Sequence, residues 1–360
     1  MHQSFSFSQN VWKRLKKNKG ALTGLFIILI SSLCGVFAYY ISTDPTPNAD
    51  RQIVEIQAKK PGYSQLFLRV KKSKKIESTS FVDRLLHGTE DKNLYIPINS
   101  SYIRDDSVSV KKYIDDGIEE LQVYSKKKLP EKNFIVSKRF WLGTDKFGRD
   151  ILSRLIVGVR VSLAVGLITV FISLSIGIIL GSIAGYFGGK IDNIIMWLIN
   201  VIWSIPTLLL VFGVTLALGK GFWQIFIAVG LTMWVNVARL IRGQVIALRE
   251  LEYVQAAKAL GLKDMRIIIK HILPNVLGPV IVIAASNFAS AIIIEAGLSF
   301  LGVGVQPPMP SWGLMIKENY NFIITHNPAL ALAPGFAIMI LVLAFNLLGN
   351  GLRDALDVKE

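Results

Sequence analysis

Six long blocks of apolar residues constrain this chain more strongly than any other feature of its sequence. The hydrocarbon core of a bilayer is about 30 Å thick, and a helix needs roughly 20 consecutive apolar residues to cross it. The first block covers residues 21–41, and the others lie in the second half of the chain at about 161–185, 192–217, 223–241, 276–297 and 329–349. The sequence therefore predicts an all-α polytopic membrane protein with six transmembrane helices.

The composition supports a membrane protein. Hydrophobic residues make up 52% of the 360 residues, charged residues only 18%, and the mean hydropathy is +0.47. The formal net charge of +15 points to basic cytoplasmic loops rather than to nucleic acid, because no basic patch is interleaved with aromatic residues. The single cysteine, Cys34, lies in the first apolar block, so the chain cannot form an internal disulfide.

The distribution of basic residues predicts the orientation of the chain. Five basic residues and no acidic residue precede the first block, which places residues 1–20 in the cytoplasm. A cleaved signal peptide is the alternative, but the block is too long and lacks a clear small-residue cleavage site. Alternating spans then place the basic segment 242–275 and the C-terminus in the cytoplasm as well.

Residues 42–140 differ from the rest of the chain because they are polar and charged, and we expect them to form an extracytoplasmic α+β insert between the first and second spans. The stretches at 52–60 and 64–72 alternate apolar and polar residues and predict two strands, joined by a turn at Pro61-Gly62. Residues 141–360 form the predicted membrane core. The role of the insert does not follow from its sequence.

The spans offer few residues for ion coupling or catalysis. Asp192 and Glu295 lie near predicted span ends, whereas an ion-coupled transporter or channel usually needs ionisable groups near the midplane. The tripeptide at Gly219–Gly221 lacks the Ser or Thr and the first Gly of a nucleotide-binding loop. The four histidines are scattered, and no nucleophile elbow or HExxH motif is present. We therefore predict no catalytic residue and no metal site.

The segment between the fourth and fifth spans carries the most specific pattern. From Glu252 it reads EYVQAAKALGLKDMRIIIKHILPNV, and Ala256 and Ala257 lie on a predicted helix that ends at Gly261. A short helix with paired alanines offers a low surface that a partner protein can approach closely. An ordinary helical hairpin is the alternative on these residues alone.

This segment resembles the EAA loop of ABC importer permeases. In that loop two alanines are followed by a glycine and, further on, by Leu-Pro, and this chain has matching residues at those spacings: Ala256, Ala257, Gly261, Leu273 and Pro274. Gln255 stands where the loop usually has Glu, and His271 replaces the usual Ile. Both departures are similar to the dipeptide and oligopeptide subgroup.

Three further stretches resemble the same subgroup, at residues 141–163, 295–313 and 343–357. The first carries the candidate residues of an outer vestibule or structural signature: Trp141, Gly143, Thr144, Asp145, Gly148, Arg149, Asp150 and Arg154. Its four charged residues either form a local salt-bridge cluster or contact the substrate or a binding protein. The insert is the part that departs from the subgroup, whose members have a much shorter link there.

The resemblance implies the type I fold of ABC importer permeases and a multi-pass subunit of the bacterial inner membrane. It also implies four kinds of partner besides lipid: a second homologous permease, two ATPase subunits that bind ATP and magnesium, an extracytoplasmic binding protein and a peptide substrate. The predicted coupling residues are Glu252 together with the matched residues of the EAA loop. The substrate-binding residues and the particular substrate do not follow, and a membrane-anchored assembly or signalling protein is the remaining alternative.

Overall fold

The computed structural model describes residues 7–73, 79–219, 221–324 and 327–356, with side chains from residue 11 onward. Lys220 and Asp357 lie outside these ranges. The chain forms two compact units. The helical unit comprises Met1–Ser31, Ser162–Gln306 and Ile338–Glu360, and the insert unit comprises Ser32–Val161 and Pro307–Ala337.

Helices dominate the described chain. In chain order they are α1 (Phe7–Lys17), α2 (Lys19–Val36), α3 (Ala38–Ile41), α4 (Phe81–His87), α5 (Ile151–Phe187), α6 (Gly189–Trp203), α7 (Thr207–Leu218), α8 (Phe222–Arg249), α9 (Glu252–Ala259), α10 (Asp264–Ile267), α11 (Leu273–Leu301), α12 (Trp312–Asn319) and α13 (Ala329–Leu356). A π-helical turn at Ile268–Ile272 joins α10 to α11.

Five stretches of helix in the described residues are long and apolar enough to cross a membrane: α2, α5, α8, the combined stretch Asp264–Leu301, and α13. The single helix expected at 192–217 is instead the pair α6 and α7, which is bent by 93° and makes a sixth span if counted as one. Pro206 explains the break, because a proline disfavours helical backbone in the residue before it and cannot donate a backbone hydrogen bond.

The insert unit contains a five-stranded antiparallel sheet in the order β4-β3-β2-β1-β5. The strands are β1 (Tyr63–Lys71), β2 (Asn93–Ile103), β3 (Ser107–Asp115), β4 (Ile118–Ser125) and β5 (Ile135–Phe140). Two apolar clusters lie in this unit, one around Leu68 and Val110 and the other around Phe67 and Phe140. An insert with a small sheet is therefore present.

One of the two predicted strands of the insert is wrong. The stretch 64–72 falls on β1, but 52–60 contains a 3₁₀ turn at Val54–Ile56 in place of a strand. Ile53 and Ile56 are both buried in the same apolar cluster. Residues three apart share a face in a 3₁₀ turn, whereas a strand would turn them to opposite faces.

Three glycines of α5 allow it to pack closely against α8 within the helical unit. Gly177, Gly181 and Gly185 recur every fourth residue and therefore share one face of the helix. A Cβ at Gly181 would lie 2.5 Å from the carbonyl oxygen of Ala238, and one at Gly185 would lie 2.8 Å from that of Arg242. Small residues at this spacing let membrane helices approach closely enough for extensive van der Waals contact.

Glycines also allow close packing between α2 and α13, the first and last long helices. A Cβ at Gly24 of α2 would lie 2.4 Å from the carbonyl oxygen of Ala344 on α13. A Cβ at Gly351 of α13 would lie 2.2 Å from the Cβ of Ala21. The helical unit is thus held together at two interfaces where a methyl group does not fit.

We expect Gly181→Ala to destabilise the protein by about 1–3 kcal/mol, because the added methyl group forces α5 and α8 apart. Gly243→Ala on α8 is the matched control, since a Cβ there meets no atom within 4 Å and alanine favours the helix. The measurement is the thermal unfolding midpoint of the detergent-solubilised protein. Equal midpoints for the two variants would contradict the close packing.

Candidate coupling loop and charged signature cluster

The candidate coupling loop, residues 242–275, is almost entirely helical. Its first residues belong to the last turns of α8, and its last residues begin α11. Between them lie α9, α10 and the π-helical turn. The six predicted coupling residues all lie in this segment: Glu252 opens α9, Gly261 follows it, and Leu273 and Pro274 open α11.

Gly261 ends α9 as the sequence predicts. Its φ is +74°, a left-handed backbone that glycine adopts without steric cost. The N–H of Gly261 donates to the carbonyl of Lys258 at 3.0 Å, and the N–H of Leu262 donates to that of Ala257 at 3.2 Å. This pair of bonds is the Schellman motif, which satisfies carbonyls at the helix end and turns the chain sharply.

The two alanines of α9 face different environments. Ala257 is buried in an apolar cluster of the helical unit with Val254, Ile267 and Ile272. Ala256 is exposed, as are Glu252, Gln255 and Leu260. A partner could therefore contact the outward face of α9, which we define as Glu252, Gln255, Ala256 and Leu260. Ala257, in contrast, packs the helix against the rest of the helical unit.

Polar contacts attach the coupling loop to α5. The Arg249 guanidinium donates to the carbonyl oxygens of Gly185 at 3.4 Å and Tyr186 at 3.1 Å, close to the C-terminus of α5. The partial negative charge at the C-terminus of a helix stabilises a basic side chain at this position. The Tyr186 hydroxyl donates to Asp264 at 2.7 Å, and α10 is thereby tied to the same helix. The loop and the end of α5 form one connected structure.

Leu273 and Pro274 close the coupling loop. Leu273 is half-buried against the same apolar cluster as Ala257. Pro274 is exposed in the first turn of α11, where its missing N–H leaves no helix hydrogen bond unmade.

Residues 141–154, which carry the candidate signature residues and are called the signature stretch below, fold against residues 53–60 within the insert unit. Gly143 and Gly148 have φ values of +79° and +71°, and a Cβ at either would lie within 2.2 Å of a backbone oxygen. The buried Thr144 hydroxyl donates to the carbonyl of Ile56 at 2.5 Å and accepts from the N–H of Lys59 at 3.0 Å. Trp141, in contrast, is exposed and stacks with the Arg139 guanidinium at 4.3 Å.

Two arginines and three carboxylates meet in the signature cluster, defined as Asp50, Asp145, Arg149, Arg154 and Glu318. Arg149 contacts Asp145 at 2.6 Å, Glu318 at 2.7 Å and Asp50 at 3.0 Å. The Arg154 guanidinium lies 3.5–4.0 Å from the same three carboxylates. All five residues lie in the insert unit.

The signature cluster is largely sealed from solvent. The side chains of Asp145, Arg149 and Arg154 are no more than 2% exposed. Burial opposes the charge on Arg149, but Asp145 and Glu318 more than offset this effect and raise the pKa of its guanidinium. Of the two alternatives for these residues, the geometry favours a salt-bridge cluster over direct contact with a substrate.

Asp150 belongs to a neighbouring polar network. Its carboxylate accepts hydrogen bonds from the hydroxyls of Thr43 and Ser153, the latter at 2.5 Å.

Lys138 lies close to this network. Burial and the nearby Arg51 guanidinium lower the pKa of Lys138 to about 8, although Asp150 and other carboxylates act in the opposite direction. Arg51 and further polar residues line an adjoining cavity of about 550 Å³.

Sequence reasoning missed the distant members of these contacts. Asp50 and Glu318 are 99 and 169 residues from Arg149, and no spacing rule connects them. Arg160 was missed as well, although it lies within residues 141–163, the first stretch that resembles the subgroup. Among the described residues no three of His, Cys, Asp and Glu come together as metal ligands.

Arg160 joins two helix ends. Its guanidinium donates to the carbonyl oxygens of Gly35 at 2.6 Å and Val36 at 3.0 Å, at the end of α2. It also donates to those of Leu86 at 2.9 Å and Leu85, in the last turn of α4. One arginine thereby satisfies carbonyls that two helices leave unpaired at their C-termini.

The described chain combines membrane-length helices with a largely helical segment, residues 242–275, between two of them. The chain belongs to the family of binding-protein-dependent transport system inner membrane components, whose pattern matches residues 177–359. A second pattern, the N-terminal TM domain of oligopeptide transport permease C, matches residues 6–61. Permease subunits of this family are not catalytic alone.

The chain is similar in sequence to permease proteins of dipeptide transport systems and in structure to a solved ABC transporter chain. The chain is 46% identical to the dipeptide transport system permease protein DppC of Alkalihalophilus pseudofirmus over 223 residues, 62% of this chain and 73% of the relative. It is 33% identical to DppC of Bacillus subtilis over 356 residues, 99% of this chain and 87% of the relative. A solved inward-facing structure of the MetNI methionine ABC transporter aligns with 58% of this chain and 97% of the solved chain, at 21% identity and a TM-score of 0.46.

We expect Arg149→Gln to destabilise the protein by about 3–5 kcal/mol, because one buried guanidinium would then face three carboxylates. Glu318→Gln should cost clearly less, since it leaves two guanidinium groups facing two carboxylates. Thermal unfolding of both purified variants tests this order. The reverse order would show that the cluster is not held together by its charge balance.

Proposed function

We propose that this chain forms half of the translocation pathway of an ATP-driven bacterial peptide importer. The observation that carries the proposal is the geometry of α9. Ala257 packs this short helix against the helical unit, and the small residue Ala256 is exposed to solvent. Membership of the binding-protein-dependent permease family supports the same function. The names of the DppC relatives favour peptides as the substrate class.

ATP and magnesium act in partner subunits in this proposal. The outward face of α9 sits in a groove of an ATPase subunit, with Glu252 and Ala256 at the contact. When the two ATPase subunits bind ATP and close on each other, they move α9. Because Arg249 and Tyr186 tie the coupling loop to α5, this motion passes to the membrane helices. The coupling loop thus converts a movement of soluble partners into a movement of the pathway.

The remaining partners follow from the permease role. A second homologous permease completes the pathway, and an extracytoplasmic binding protein delivers the peptide. The N- and C-termini face the cytoplasm of a bacterial inner membrane, as the basic residues before the first span favour. The insert, residues 42–140, then lies outside, and the signature cluster stabilises the unit to which the insert belongs.

Reconstitution tests the substrate class. The chain is purified with its sister permease, both ATPases and its binding protein, placed in liposomes, and supplied with labelled dipeptides on the side of the binding protein. We expect uptake that needs ATP on the opposite side and is insensitive to collapse of ion gradients. Uptake driven by a proton or sodium gradient without ATP would establish an ion-coupled transporter instead.

We expect Ala256→Trp to abolish most peptide-stimulated ATP hydrolysis and transport, because a large side chain holds α9 away from the ATPase groove. Overpacking at such a contact costs roughly 1–3 kcal/mol. Ala217→Trp, an equal change at an exposed alanine of α7, is the matched control and should retain activity.

Gly261→Val should also uncouple the complex, because valine does not tolerate a φ of +74°. Normal coupling in both loop variants at normal expression would remove α9 from the mechanism.

A further inference from the structure

Helix α1 carries a concentration of charge that the proposed transport mechanism does not use. Lys13, Arg14, Lys16 and Lys17 are all exposed on this helix, and Lys19 opens α2 two residues later. The sequence contains no acidic residue before Asp44.

The other face of α1 is anchored within the helical unit. Leu15 is buried against Ala21 and Ala355, with Val11 and Leu352 packed around them. Asn18 follows the helix, and its side chain accepts from the N–H of Ala21 at 3.0 Å and donates to Asp354 at 3.3 Å. This anchoring makes α1 a fixed helix with an exposed cationic surface.

Helix α1 directly precedes α2, a helix that is long and apolar enough to cross a membrane. Leu22 and Phe26 on α2 are exposed apolar side chains, 36% and 63% accessible. Leu22 lies four residues beyond Asn18, which is about 6 Å of helical rise. Trp12 on α1 is 46% exposed, with the Lys16 ammonium 5.3 Å from its ring. An exposed tryptophan among lysines is typical of the membrane–water interface.

We infer that α1 is a binding surface for anionic phospholipid headgroups. Its lysines and arginine attract the phosphates of lipids that carry a net negative charge, and Trp12 inserts between the headgroups. Charge complementarity favours this occupant over a protein partner, because the exposed side chains of α1 are mostly basic and lie beside Trp12, a residue typical of the membrane–water interface. This lipid surface is separate from the coupling loop and from the signature cluster.

The charge of α1 predicts how strong the preference for anionic lipid is. Each basic residue near an anionic surface strengthens attraction about fivefold, and the effect extends over roughly a Debye length of 8 Å at physiological salt. Neutralising three lysines should therefore reduce the attraction of anionic lipid to this surface by about a hundredfold. Because Leu15 and Asn18 are left unchanged, α1 keeps its anchor on α13.

The test compares Lys13→Gln, Lys16→Gln and Lys17→Gln, made together, with a control that removes equal charge from the insert: Lys126→Gln, Lys127→Gln and Lys128→Gln. Both are made in full-length chains that carry Cys34→Ala and a spin label at Trp12→Cys. The intact complex is placed in nanodiscs of phosphatidylcholine with or without phosphatidylglycerol. Accessibility of the label to a water-soluble nickel chelate is measured at low and high salt.

We expect phosphatidylglycerol to protect the label several-fold in the parent and in the insert control, and high salt to remove part of this protection. The α1 variant should show little difference between the two lipids. Equal accessibility in both lipids for the parent would overturn the inference. Protection that depends on the ATPase subunits but not on phosphatidylglycerol would also overturn it, because the surface would then belong to a protein partner.

Discussion

Close backbone contact is the constraint on which the membrane helices of this chain depend. Lipid is as apolar as the helices, so burial of apolar side chains contributes little to their association. Contact at Gly177, Gly181 and Gly185 supplies van der Waals attraction in its place and holds α8 against α5. The coupling loop leaves the end of α8 and bonds to the end of α5, including the carbonyl of Gly185, so its geometry depends on this packing.

The insert unit is held by a different kind of interaction. Its signature cluster buries two guanidinium groups among three carboxylates, an arrangement that is stable only when every charge has a partner. The partners come from the start of the insert, from the signature stretch and from α12. The cluster therefore fixes three parts of the chain that are far apart in sequence, and it does so with groups that have little contact with solvent.

Short-range signals made much of the fold predictable. The long apolar helices and the end of α9 at Gly261 could be predicted because each depends on neighbouring residues. The outward face of α9 could not, because a helix of eight residues is too short for its periodicity to show which alanine points inward. Nor could the pairing of Arg149 with Glu318, which depends on tertiary structure. Pro206 was a readable signal of the bend between α6 and α7 that the hydropathy pattern concealed.

Arg160 has a consequence for how the insert can change over time. Its donors bond to main-chain carbonyls of Gly35, Val36, Leu85 and Leu86, and every amino acid provides such a carbonyl. The side chains at the end of α4 are therefore free to diverge without loss of this attachment, provided that the helix still ends in the same place. A segment joined in this way can change its sequence while the helix that carries the arginine stays the same.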